Sequence, residues 1–168
     1  LLGPLVHHVV GLVPPGPVVD LYAGVGLFGL ALAAAGREGV TLVEGDPVSG
    51  ADLAFNAAPY GPRVTVKRLS VETFLKRDTS SSAPAGHAVG AATVIVDPPR
   101  AGLSRDGLMS IVRARPTCLI YVSCDIATLA RDARVLVDGG YTLDDVTGVD
   151  LFPNTAHVET VTRFTRSV

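Results

Sequence analysis

Short apolar runs rich in β-branched residues recur along the chain at 18–22, 40–44, 63–67, 92–96 and 117–122, each closed by a polar or turn residue. Stretches of helical character lie between them, at 27–35, 48–58, 71–76, 106–114 and 126–138. Gly36 ends the first of these, and Pro59 and Pro62 follow the second. The opening segment, 5–13, is apolar and fits either a helix end or a short strand before Pro14, Pro15 and Pro17 break it. Residues 141–149 and 157–165 alternate β-branched and polar positions like an antiparallel pair around 152–154. Residues 78–90, rich in Ser, Ala, Gly and Pro, read as an exposed, mobile loop. Strands alternating with helices imply right-handed crossovers and a mostly parallel sheet. The expected fold is therefore α/β and Rossmann-like, with seven strands and a C-terminal antiparallel β pair.

Composition adds limits. At 168 residues the chain is one domain's worth, and 48% hydrophobic with 18% charged residues argues for a globular core and against disorder. A net charge of −2 gives no global basic bias, so a nucleic-acid partner requires a local footprint. Arg63, Lys67, Arg68, Lys76 and Arg77 are candidates for one, although a solvated face explains them as well. Cys118 and Cys124 suggest neither a disulfide framework nor a zinc site, and His7, His8, His87 and His157 lack metal-ligand spacing with them. No metal is expected, and a reduced, cytoplasmic setting is the default. No apolar run is long enough to cross a membrane, and residues 1–17 lack the charged head of a signal peptide. With no initiator Met, the chain reads as one domain, 1–168, and as a piece of a longer protein.

The chemistry gathers at strand ends, where open α/β sheets bind ligands. After Asp20 and Tyr22 come Gly24, Gly26 and Gly29, a strand, tight turn and helix start that suits a dinucleotide or S-adenosylmethionine. This turn alone does not separate the two. Glu44, about 20 residues beyond Gly24, fits the hydroxyls of an adenosine ribose or is an ordinary solvated acid. Asp97-Pro98-Pro99-Arg100 forms a rigid corner holding Asp97 at the sheet edge, with Arg100 free to meet a phosphate or carboxylate, or to pair with a nearby acid. Cys124 stands just past the fifth strand at a helix N-terminus, which favours a thiolate, while Asp125 opposes it unless it caps the helix. Position alone leaves Cys124 a nucleophile or a small buried residue, and Cys118 reads as core. Glu159, in the last strand, is by itself an edge acid.

Four ordered motifs change that balance: Asp20-Leu-Tyr-Ala-Gly-Val-Gly, Asp97-Pro-Pro-Arg-Ala-Gly-Leu, Tyr121-Val-Ser-Cys-Asp and His157-Val-Glu-Thr-Val. Together they resemble the RNA uracil-C5 methyltransferases, S-adenosylmethionine enzymes that make 5-methyluridine in tRNA and 23S rRNA. The resemblance implies Cys124 as nucleophile and Glu159 as the base that removes the C5 proton. It implies cofactor contacts at Tyr22, Glu44, Ser70 and Asp97, beside the turn of Asp20, Gly24 and Gly26. Leu27 departs from it, because some members carry an Asn there that reaches the cofactor. A cofactor-contacting Gln ahead of the first strand and an N-terminal RNA-binding barrel, both features of the family, are not found in the sequence. The expected partner is a uridine in tRNA or 23S rRNA. Rival readings are an N-methylating enzyme using the Asp-Pro-Pro corner, a nicotinamide-dependent oxidoreductase, and a non-catalytic cofactor- or RNA-binding fragment. The first leaves Cys124 and Glu159 without work, and the β–β ending counts against the second.

Overall fold

In the computed structural model the apolar runs become one sheet, with strands β1 (Val18–Leu21), β2 (Val40–Glu44), β3 (Val64–Arg68), β4 (Thr93–Val96), β5 (Cys118–Ser123), β6 (Thr142–Val149) and β7 (Glu159–Thr165). The structure describes residues 2–78, 89–90, 92–151, 153–155 and 158–166. Most of the loop expected at 78–90 lies outside the described residues, as do His87, Phe152 and His157. The helices are α1 (Leu2–Leu12), α2 (Leu27–Ala34), α3 (Pro47–Ala57), α4 (Val71–Asp78), α5 (Arg105–Ala114) and α6 (Ile126–Asp138), with a 3-10 turn at Ala58–Arg63.

Strand order is β3-β2-β1-β4-β5-β7-β6. β1 to β5 pair in parallel, and β7 lies antiparallel to both β5 and β6. β1, β4 and β5 are buried along their whole length, the continuous apolar pattern of strands covered on both faces. Successive strand residues point to opposite faces. Val19, Leu21, Val94 and Leu119 pack with α4, α5 and α6, while Val18, Ile95 and Ile120 pack with α1, α2 and α3. The undecided opening segment is α1: Leu5 and Val9 recur at helical spacing and are buried in the second of these layers.

Helix starts follow local chemistry. The Asp46 carboxylate accepts from the N–H groups of Val48 and Ser49 and Pro47 opens α3, while Ser104 and Asp125 cap α5 and α6 through Gly107 and Thr128. α2 differs, because its N-cap is Gly26, which has no side chain to cap it, and the side-chain bond to its first turn comes from β1, where Asp20 accepts the Gly29 N–H. The strand order reverses at β1, with β2 and β3 added on one side and β4 and β5 on the other, so the switch point lies beyond Leu21 and Val96. An antiparallel strand inserted between β5 and β6 is not the arrangement of a doubly wound dinucleotide sheet.

Candidate active site

The turn after β1 is built around two acids. Asp20 is fully buried, and its Oδ2 accepts the Gly29 N–H at 2.9 Å, tying the first turn of α2 to the strand. A Cβ on Gly29 would collide with Leu42 Cδ2 and lie 3.0 Å from Asp20 Oδ2, so the helix approaches the sheet only through glycine. Gly26 turns the chain at φ 102, a left-handed conformation that costs a side chain dearly. Glu44 accepts the Gly24 N–H at 2.8 Å through one carboxylate oxygen and the Asp46 N–H at 2.6 Å through the other. It thus braces the glycine turn while each oxygen keeps a further lone pair.

Asp20 acts from behind the turn, and burial pushes its pKa up to about 7 against the Gly29 hydrogen bond, with the Asp97 and Glu44 charges adding. Its Oδ1 has no hydrogen-bond partner. Tyr22 departs from expectation: this bulky residue, not a glycine, takes φ 61 directly after β1. Its hydroxyl donates to Glu72 Oε1 at 3.4 Å, and the Ser104 hydroxyl donates to the same oxygen at 2.8 Å. Ser70 is committed locally, its hydroxyl donating to Thr73 Oγ1 at 2.8 Å and accepting the Thr73 N–H at 3.2 Å at the head of α4. Leu27 opens α2 and is 38% exposed.

Asp97 follows β4, and its N–H donates to the Leu21 carbonyl at 3.4 Å, which joins the corner to the end of β1. Desolvation at the sheet edge and the charge of Glu159 hold its carboxyl up to about 6, an effect tempered by its open side. Cys124 lies past β5, half-buried and reduced, whereas Cys118 is buried inside β5 and burial pushes its thiol up. The Asp125 side chain turns to the Thr128 N–H at 2.9 Å, capping α6. Its pKa is lowered first by that bond, with the charge of Arg100 adding.

The β5–β7 register brings Cys124 and Glu159 together. Ser123 faces Thr160, and in an antiparallel pair the next positions on the two strands are Cys124 and Glu159. β7 therefore returns an acid to the edge where β1, β2 and β4 deliver Asp20, Glu44 and Asp97. Of the basic residues, Arg63 stacks over Tyr60 at 5.8 Å, Arg68 donates to the Pro47 carbonyl at 3.5 Å, and Lys76 meets Asp106 at 3.4 Å. Among the described residues no group of His, Cys, Asp and Glu has a metal-binding arrangement, and no helix is long and apolar enough to cross a membrane.

Glu72, Arg131 and Asp132 escaped the sequence reading. For Asp132 a signal existed, since it shares the helical face of Leu129 and Leu136, where a lone acid is out of place.

Comparison with known proteins places the chain in a family. Residues 14–167 match the profile of the family described as tRNA (Uracil-5-)-methyltransferase. The chain is 41% identical over 150 residues to the 23S rRNA (uracil(1939)-C(5))-methyltransferase of Chromohalobacter salexigens, covering 89% of this chain and 29% of that protein. It is 39% identical over 148 residues to an uncharacterised RNA methyltransferase of Halalkalibacterium halodurans, covering 86% and 30%. Among solved structures, the Pyrococcus abyssi tRNA (uracil-54, C5)-methyltransferase in complex with S-adenosyl-L-homocysteine superposes with a TM-score of 0.79 at 31% identity, covering 96% of this chain and 37% of that one. The chain thus spans less than two-fifths of the length of these relatives. Its sheet order, strand-end acids and matched span make it a member of the tRNA (uracil-5-)-methyltransferase family.

Proposed function

We propose that this chain is the catalytic domain of an RNA (uracil-5-)-methyltransferase, which transfers a methyl group from S-adenosylmethionine to C5 of a uridine in tRNA or 23S rRNA. The observation that carries this reading is the register of β5 and β7, whose last pair, Ser123 with Thr160, leaves Cys124 and Glu159 as the next positions on the two strands, at the sheet edge where the glycine turn lies.

The residues around that turn fit the cofactor. Gly26 gives α2 no side-chain cap and Asp20 takes only the Gly29 N–H, which leaves the N–H groups of Leu27 and Phe28 to meet a carboxylate, and the space where a Gly24 Cβ would stand is empty to 4 Å. Glu44 keeps acceptor capacity for vicinal ribose hydroxyls, and Tyr22 and Asp97 flank the same opening. Ser70 serves by shaping the head of α4. When bound, S-adenosylmethionine supplies an electrophilic methyl group on a sulfonium.

Uracil C5 is a weak carbon nucleophile. Addition of the Cys124 thiolate to C6 forms a C6–S bond and places electron density at C5, which then takes the methyl group. Glu159 removes the C5 proton, the C5–C6 double bond re-forms, and the thiolate leaves. The uridine must leave its stack to enter the site. Asp125 caps α6 by accepting the Thr128 N–H, which directs its charge at the helix N-terminus.

The test is a methyl-transfer assay on uridine-containing tRNA and 23S rRNA transcripts, with nucleosides analysed for 5-methyluridine. Cys124→Ala is expected to abolish the product while melting within a few degrees of the parent. Retained 5-methyluridine in that variant would remove Cys124 from the chemistry. Methylation at a base nitrogen instead would replace the proposal with the N-methylating reading.

A further inference from the structure

One face of α6 grips the corner that follows β4. Asp132 is fully buried, and its Oδ2 accepts the Tyr121 hydroxyl at 2.7 Å and the Leu103 N–H at 2.9 Å. Its Oδ1 meets Arg131 Nη2 at 2.7 Å and Nε at 2.8 Å. Arg131 Nη2 also donates to the carbonyls of Ala101 at 3.0 Å and Leu103 at 3.3 Å. One turn earlier, the Thr128 hydroxyl donates to the Arg100 carbonyl at 3.1 Å. Thr128, Arg131 and Asp132 are spaced i, i+3, i+4 and so share a helix face. Gly102 fits against them only because it lacks a side chain. It takes φ +75, and a Cβ there would lie 2.6 Å from Arg131 Nη2 and 2.7 Å from Asp132 Oδ2.

A buried, paired acid is poor evidence of stability in itself, since an apolar side chain of the same volume commonly serves as well. What this cluster supplies is a fixed relation between two pieces of the site. The gripped corner begins at Asp97 and carries Arg100, and the gripping helix starts directly after Cys124 and Asp125. Among the described residues, the charged groups around that turn include Asp97 and Arg100 from the corner, Asp125 from the head of α6 and Glu159 from β7, and the Arg100 charge reaches Asp125.

We propose that Thr128, Arg131 and Asp132 are positioning residues, a clamp that fixes residues 97–103 against α6 so that Arg100 stays beside the Cys124 turn. The clamp deepens the reading of Cys124 as nucleophile and rests on it for its catalytic meaning, but its geometric effect is measurable without any RNA.

The experiment compares the parent with Arg131→Ala, Arg131→Lys and Gly102→Ala, with Arg134→Ala as control for an exposed ion pair on the same helix. Iodoacetamide alkylation of Cys124 is followed by peptide mass in folded protein at neutral pH, with melting curves recorded in parallel. Release of residues 100–103 from α6 is expected to change the alkylation rate about threefold or more in Arg131→Ala and Gly102→Ala, because the segment packed beside the Cys124 turn governs access to its thiol. Arg131→Lys should fall between them and the parent, because an ammonium reaches one carbonyl but not the whole fork. Arg134→Ala should match the parent. In methyl-transfer assays kcat should drop about tenfold with the S-adenosylmethionine KM within about twofold, the signature of misplacement rather than lost binding. Unchanged alkylation in folded Arg131→Ala overturns the clamp, as does a KM that rises with kcat intact. If Gly102→Ala does not fold, the Arg131 pair decides. If the parent methylates no RNA, the proposed function fails while the alkylation rates still decide the clamp.

Discussion

Asp20 shows how much one buried carboxyl can carry. It closes the turn by accepting the Gly29 N–H, yet Oδ1 has no partner and burial lifts its pKa to about 7. An acid whose folded pKa stands above its unfolded value holds its proton better when folded, so stability is greatest at low pH and is lost as pH rises towards 7. Thermal melts of the parent are therefore expected to fall between about pH 4 and pH 7, the window set by the ordinary and the raised pKa. Asp20→Asn should flatten that slope; an equally steep slope in the variant would assign it to other groups, Asp97 first. Glu159 tests differently. Glu159→Gln removes the base but leaves the nucleophile, so turnover should drop by about 10² to 10⁴, the range for loss of a positioned base, and an RNA adduct should accumulate. Fast turnover in that variant, read by release of 5-methyluridine RNA, would take Glu159 out of the role.

At the scale of elements, the junction of β1 and α2 is the tightest fit in the site. Gly29→Ala is expected to cost about 1–3 kcal/mol in chemical denaturation, because the added methyl meets Leu42 and Asp20 across a packed interface. A neutral effect would show that α2 can slide off the sheet freely. The sequence reading placed β1 to β7 and α2 to α6 to within a residue or two, since the strands are short runs closed by turn residues and Asp46, Ser104 and Asp125 sit where helices begin. The apolar opening at 5–13, by contrast, fitted helix or strand alike and starts three residues after α1 does. Asp125 as a cap was legible from its place before an apolar run. The strain at Tyr22 was not, because glycines next to it offered an easier residue for the left-handed turn. Nor was the grip of α6 on residues 100–103, since it joins a helix to backbone carbonyls of a distant loop, and carbonyls leave no mark in composition or periodicity.

For the whole molecule, topology decides what meets what. The alternating ending at 141–149 and 157–165 announced an antiparallel pair, but nothing in the pattern said that β7 would enter between β5 and β6. That insertion turns Glu159 from an edge acid into the neighbour of Cys124 and of the Asp97 corner. The strand-end acids share one edge of the sheet because parallel strands bring their carboxyl ends together wherever they lie in sequence. The measurement that tests the central claim most directly uses S-adenosylmethionine and RNA substituted with 5-fluorouridine, run on a denaturing gel. Fluorine at C5 cannot leave as a proton does, so a protein–RNA band stable to denaturant is expected with the parent and absent with Cys124→Ala. A parent that binds S-adenosylmethionine yet forms no such band with tRNA or 23S rRNA substrates would contradict covalent uracil-C5 chemistry at Cys124.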